Sequence, residues 1–298
     1  MPENPKIPMR RLDTVIKAHT IKTKHRESFK MFKRFMGLLL SIFFITPVYG
    51  HEFWISPLAY NLNISQPILA HFRIGQEFNG SPQSFLRHRT VRHEIHHDGD
   101  TLKVNSRNGD RPAIQTNGLG DGLAVIVHET NDSILKYTEF EKFVNFVKHK
   151  KFDGVLDAHS ARNLPKTRFS ESYRRYVKSL IAIGSGVGQD KAIGLDIEIV
   201  ALNNPYTDDL SDGMRIQVLM SGIPRADVQV EIFERAIGSN QDVNIKLTTT
   251  DENGIAIFHA KSAHEYMIDN VALIPLEAKN GNDPVWHSLW ANLTFAVK

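Results

Sequence analysis

The stretch "VYGHEFWISP" places a histidine, His51, directly behind the small-x-small pattern made by Val48 and Gly50. Cleavage after Gly50 would leave His51 first, with a free α-amine beside its imidazole. The amine and Nδ1 of one histidine close a six-membered ring on a metal ion. Both kinds of nitrogen lose protons readily, an α-amine at about 7.7–8.0 and an imidazole at about 6.5. Such donors suit nickel, cobalt and copper, and also zinc. A second histidine would complete a T-shaped brace. His71 and His128, in strand-like runs, and His159, in "LDAHSARNLP", are the candidates, though a histidine in such a setting is more often a hydrogen-bonded structural one. His287, in "VWHSLW", belongs with them.

A second motif, "HEIHH" at 93–97, matches the zincin pattern H-E-x-x-H through His93, Glu94 and His97. That pattern works only on a helix, where residues four apart share a face. The surrounding "RHRTVRHEIHHDGDTLKV" reads as a strand entering a turn. On a strand His93 and His97 would stand ~13 Å apart, at about 3.3 Å per residue, too far to share an ion. The expectation is a solvated, histidine-rich edge. The segment "SESYRRYVKSL" gathers Tyr173, Arg174, Arg175, Tyr176 and Lys178. Read as a helix, it puts Arg174 and Lys178 on one face, either solvated or binding an anion or clamping the segment to its neighbour. Ser288 beside His287 lacks the elbow sequence and oriented base of a nucleophile. Trp286, Trp290 and Phe295 are expected in the core.

The elements around these residues are mostly strands. "ILAHFRIG" alternates with a period of two, and "GLAVIVHET" is a β-branched run between glycine-rich turns. The period changes at "TEFEKFVNFVKHK", where Phe140, Phe143, Val144 and Val147 share a helical face and Thr138 with Glu141 could form a capping box. "FDGVLDAHSARNLP" suggests a second short helix stopped by Pro165, and "SESYRRYVKSLIAIG" a third. From "GLDIEIVAL" onward, seven short strands separated by turns such as "DENG" carry the signature of a β-sandwich. The organisation read from these patterns is a leader over 1–50, an N-terminal β domain over 51–137, a helical insertion over 138–183 and a C-terminal sandwich over 190–298.

The leader shapes the charge balance. "FKMFKRF" followed by "MGLLLSIFFITPV" has the basic and apolar regions of a secretory signal, and the apolar run is short for a membrane span. The 298 residues hold 36 Lys and Arg against 33 Asp and Glu, but 1–50 carries ten of the basic and three of the acidic ones. The remainder has 26 against 30, and so no electrostatic case for nucleic acid. With no cysteine there are neither disulfides nor a lipid-anchored terminus, and the fold must rest on its apolar core.

"HEFWISPLAY", "RIGQEFNG", "AHSARNLP", "SESYRRYVKSL", "LDIEIVALNNPYTDDL" and "VWHSLWANLTF" together resemble a family of exported bacterial proteins. That family is catalogued as a domain of unknown function and grouped with nickel-uptake accessory domains of the NikM/NikK type. The resemblance spans His51 to the C-terminus. It implies a periplasmic, two-part β protein associated with transition-metal uptake. His51 carries over as the ligand, His159 matches the family's "AH…R" segment, and Tyr173, Arg174 and Lys178 match its "Y-R…K" helix. Some members carry a histidine where this chain has Ala272. "SGIPRADVQVEIF…TTTDENGIAIF" also resembles transthyretin-like and carboxypeptidase-regulatory sandwiches.

The expectation is thus a mainly β protein of two β-sandwich-like (Ig- or transthyretin-like) units with a small helical insertion. It would bind nickel, cobalt or copper through His51 in the periplasm, or after secretion, and serve a metal transporter or outer-membrane receptor. Contact with a membrane would come only through the signal peptide. Two other readings stand beside it: a copper histidine-brace oxidoreductase, and a structural or ligand-presenting sandwich without metal.

Overall fold

The computed structural model describes residues 50–239 and 243–298. The predicted signal peptide lies outside the described residues. In chain order the first strands are β1 (Glu52–Pro57), β2 (Asn61–Leu62), β3 (Ile68–Gln76), β4 (Asn79–Gln83), β5 (Thr90–His97), β6 (Asp100–Lys103), β7 (Ile114–Thr116), β8 (Gly122–Thr130) and β9 (Ser133–Tyr137). Two helices follow, α1 (Phe140–His149) and α2 (Val155–Ala161), and then the long strand β10 (Phe169–Ile183). The remaining strands are β11 (Ile197–Ala201), β12 (Met214–Met220), β13 (Ile223–Pro224), β14 (Gln229–Ala236), β15 (Asn244–Thr249), β16 (Ile255–Phe258), β17 (His264–Pro275) and β18 (Pro284–Val297).

These strands form three sheets. The central one runs β15-β14-β17-β18-β10-β8-β5-β6, with β2 and β9 also paired to β10. A smaller sheet, β1-β3-β4 with β7 on β3, covers one of its faces, and another, β11-β12-β13 with β16 on β12, covers the other. The assignment of cores follows strand parity. Leu123, Val125 and Val127 of β8 join the core shared with β11 and β12, whereas Ala124 and Ile126 join the core under β1 and β3. On β10, Tyr176 and Leu180 enter the first core and Val177 and Ile181 the second. The protein is thus mainly β and sandwich-like, with a small helical insertion, and both sandwich halves share the middle sheet.

The third predicted helix is the correction this architecture demands. Residues 169–183 are the strand β10, paired in parallel with β18 and antiparallel with β9 and then β8. A strand covered on both faces shows no apolar–polar alternation, so its period is hidden. Its charged residues look like a helix surface, but Glu171, Arg174 and Lys178 are paired inside the fold, and Arg175 is enclosed by aromatic rings. Lys178, 1% exposed, reaches Asp190 at 2.8 Å and Glu198 at 3.0 Å. Because the central sheet runs from β15 to β6, the predicted boundaries at 137/138 and 183/190 fall within one sheet and do not separate independent β domains.

The helices keep to the predicted faces with one difference. Phe143, Phe146 and Val147 of α1 are buried, and Phe140 and Val144 are half-buried. They pack with Tyr137, Phe169, Trp286 and Trp290. The capping box of Thr138 and Glu141 does not form: Glu139 is the N-cap, makes no side-chain cap bond, and its carboxylate instead accepts from Lys142 Nζ at 2.8 Å. Among the described residues no helix is long and apolar enough to cross a membrane.

β1 is held down at several points. Phe53, Trp54 and Ile55 are buried, and Thr294 Oγ1 of β18 donates to the Ile55 carbonyl at 2.8 Å. This fixes the chain at residues 50–52 over β10 and β18. The buried charge beneath the opposite face gives a stability test. Replacing Lys178 with Met leaves Asp190 and Glu198 buried without a cation, and should cost about 3–5 kcal/mol in chemical denaturation. A loss below about 1 kcal/mol would mean that these carboxyls are solvated or neutral in the fold.

Candidate functional site

A cavity of about 300 Å³ opens where β1 begins. Gly50 and His51 form part of its wall, facing Tyr137 of β9, Phe146 of α1, Glu171, Tyr173 and Arg175 of β10, and Trp290 of β18. Residue 50 lies against Trp290: a Cβ there would stand 2.6 Å from Cη2 of the indole. The His51 side chain is exposed at this rim. Two lysines, Lys136 and Lys142, also line the cavity.

The polar groups of the wall differ sharply in how well they are satisfied. Glu171 is buried and accepts from Tyr137 Oη at 2.8 Å and from Ser288 Oγ at 2.5 Å. Burial pushes its carboxyl up to about 7 in spite of those bonds. Arg175 is half-buried, and its Nε and Nη1 are shut away from solvent without a hydrogen-bond partner. Its guanidinium carbon instead lies over the rings of Tyr173 (5.2 Å), Phe53 (5.6 Å) and Trp290 (5.9 Å). Burial lowers its pKa against the pull of Tyr173, Asp269 and Glu52. Arg175 and Tyr173 also line a second cavity of about 120 Å³, with Phe53, Phe72 and His128.

A buried ionic cluster stands alongside. Lys150, just past α1, reaches Glu231 at 2.8 Å and Asp269 at 2.9 Å and stacks over Trp290 at 5.3 Å. Burial opposes its charge, but Asp269 and Glu231 outweigh that and hold its pKa above the usual lysine range. Glu52, next to His51, is 4% exposed, and burial together with the nearby Asp269 charge pushes it up to about 8. Neither Glu52 nor Asp269 makes an ion pair with Arg175 among the described contacts.

The predicted ligand set does not converge on His51. His159 is fully buried; its Nδ1 accepts from Trp286 Nε1 at 3.1 Å and its Nε2 lies 3.2 Å from the Pro165 carbonyl. It is a structural histidine. His128 is buried beside His93 on the neighbouring strand, ring centroids 5.2 Å apart, with Phe72 at 4.2 Å. Burial lowers His128 well below the usual range and His93 to about 4, so both are neutral near neutrality. His71 stands on β3 opposite Ser56, far along β1 from His51. None of the three lines the cavity at His51. Among the described residues no group of three or more His, Cys, Asp or Glu is placed to hold an ion.

The other predicted residues are placed as follows. "HEIHH" is a strand, as expected, but not a solvated edge: β5 lies between β8 and β6, His93 is buried against Ser106 Oγ at 2.9 Å, and Glu94 binds Arg92 and His96. Arg174 bonds Asp132 at 2.6 Å and Glu129 at 3.3 Å, so Arg174 and Lys178 clamp the fold and bind no free anion. Tyr173 alone of that trio reaches the cavity. His287 Nδ1 pairs with Ser172 Oγ at 2.7 Å, and Ala272 is buried in β17. The sequence reading named Arg175 in passing, placed Trp290 in the core and passed over Glu171.

The family model described as domain of unknown function (DUF4198) matches residues 48–272, and the chain belongs to that family. No curated protein matches the chain. Among solved structures, a crystal structure of a tetra-tandem repeat in the extending region of a large adhesion protein is similar at 10% identity and a TM-score of 0.19. That match covers 83% of this chain and 49% of the other, so the chain spans about half its length. A likeness of that degree carries no argument about function.

Glu171 offers a test of the cavity's electrostatics. Its folded pKa of about 7 exceeds the ordinary 4.5, so between those values the folded chain holds a proton that the unfolded chain lacks. The resulting stability is present at acid pH and lost as pH rises through about 7. Relative to wild type, Glu171→Gln should therefore gain stability between about pH 4.5 and 7, by at most about 1.4 kcal/mol per pH unit, and then level off. Parallel stability curves from denaturant melts across this range would contradict the assignment.

Proposed function

We propose that this member of the family is a periplasmic metal-binding accessory protein. Nickel, cobalt or copper is its cargo, taken at His51 as the first residue of the processed chain and passed to a transporter or outer-membrane receptor. One observation carries the reading: the histidine behind the cleavage pattern stands exposed at the mouth of a cavity, directly before a strand that is buried in the core. The resemblance of the sequence motifs to nickel-uptake accessory domains of the NikM/NikK type points the same way.

The chemistry follows from the donor count. An amine and an imidazole from one residue fill two coordination positions, which leaves the others to water or to donors from outside. A site of this kind exchanges its ion more readily than a closed four-ligand site, as a carrier must. The copper-oxidant reading needs a second histidine on the same ion, and His71, His128 and His159 all lie elsewhere. The weight of observation therefore falls on carriage over oxidation.

The test compares three proteins: the chain starting at His51, the same chain with Gly50 kept in front, and His51→Ala. The intact mass of the exported protein first establishes where it starts. Calorimetric titration with Ni(II) and Co(II) should then show both altered forms at least tenfold weaker, or about 1.4 kcal/mol. The extension keeps an amine and an imidazole but separates them, so equal affinity for the extended and the native form would dismiss the terminal chelate. Melting temperatures without metal should agree among all three, since the His51 side chain is exposed.

A further inference from the structure

Arg175 stands apart from the other cations of its neighbourhood. Arg174, one residue before it, has Asp132 and Glu129; Lys178 has Asp190 and Glu198; Lys150 has Glu231 and Asp269. Each answers burial with a carboxylate in contact. Arg175 is shut in by aromatic rings, and two of its three nitrogens have neither a partner nor access to solvent. Taking a guanidinium out of water without a counter-ion is costly, and ring faces answer its charge less well than a carboxylate in contact does. The arrangement lacks an anion, and the cavity is where one can enter.

The surroundings specify its chemistry. The cavity of about 300 Å³ lies at the small end of ordinary ligand sites. Its walls carry the rings of Trp290, Tyr173 and Phe146, with Phe146 stacked on Trp290, an apolar lining that accepts a flat apolar body. Lys136 adds positive charge at the rim, and Lys142 there is paired with Glu139. Glu171, the acidic side chain of the wall, already accepts from Tyr137 and Ser288 and leaves the guanidinium untouched. A guanidinium N–H donates a charge-assisted hydrogen bond to a carboxylate oxygen, and Nη2 is the nitrogen not shut away here. One such donor among aromatic side chains fits a singly charged carboxylate on a planar body better than a phosphate dianion, which calls for more donors.

We propose that Arg175 anchors a metal-independent site, which binds a small organic carboxylate with a planar, apolar body in the cavity between β9, β10 and β18. This inference does not rest on metal binding at His51, and it is tested in chelator so that the failure of either leaves the other standing.

The probes are sodium benzoate, sodium acetate and inorganic phosphate, titrated calorimetrically into the full processed chain in the presence of EDTA. Benzoate should bind, acetate at least tenfold more weakly for want of a body to stack, and phosphate not measurably. Arg175→Met should lose at least tenfold in benzoate affinity, and Arg175→Lys should fall between, keeping the charge but not the planar guanidinium. Without ligand, Arg175→Met should melt at or above the wild-type temperature, because it removes a buried charge that has no partner. A purely structural arginine predicts the opposite: a lower melting temperature. Benzoate that fails to bind at millimolar concentration, or binds equally to Arg175→Met, would overturn the proposal. So would a clear drop in the melting temperature of that variant, and phosphate binding as tight as benzoate would overturn the ligand class.

Discussion

The burial of the central sheet on both faces is the constraint from which the rest of this molecule follows. A half-exposed strand can leave its polar side chains to water. β10 cannot, because β1 and β3 cover one of its faces and β11 and β12 the other. The polar groups it carries must find partners inside the protein, and Arg175 is the exception. Ser179 donates to Thr294, Glu171 accepts from Tyr137 and Ser288, and Lys178 takes two carboxylates. Replacing such pairs with apolar groups is often harmless, while breaking them is not. The register of the strand is therefore fixed by its chemistry as well as by its packing.

The same constraint places the cavity. β10 outruns its covering at the Phe169 end, where β9, α1 and α2 close over it in place of a full sheet. Lys150 at the end of α1 is drawn onto Glu231 and Asp269, and this ties the helix to β14 and β17. The closure is incomplete beside Trp290, and there the start of β1 delivers His51 to the opening. An exposed donor above and an unpaired guanidinium below thus meet one cavity. The first would hold a cation and the second an anion.

Where one face of a strand meets water, the fold was legible from the residues. β3 alternates buried and half-buried positions as "ILAHFRIG" suggested, and α1 buries Phe143 and Val147. β10 was misread because its two apolar faces erase the alternation, and its arginines and lysine imitate a solvated helix surface. The capping box failed because the helix begins one residue later than Thr138 would require. At the site, His51 was visible through the small residues at 48 and 50, a local signal. Arg175 was not distinguishable from Arg174, because what separates them is a partner brought from distant chain: Asp132 and Glu129 reach the one and no carboxylate reaches the other. His159 looked like a ligand only until Trp286, far along the sequence, took up its free nitrogen.

The central claim, that the mouth of this cavity is where a metal ion is carried, is tested most directly by anomalous diffraction. Crystals of the chain beginning at His51 would be soaked with nickel and measured at its absorption edge. The expected result is one strong peak bonded to both the terminal amine and the imidazole of His51. A peak at the histidines of β5 instead, with none at His51, would contradict it.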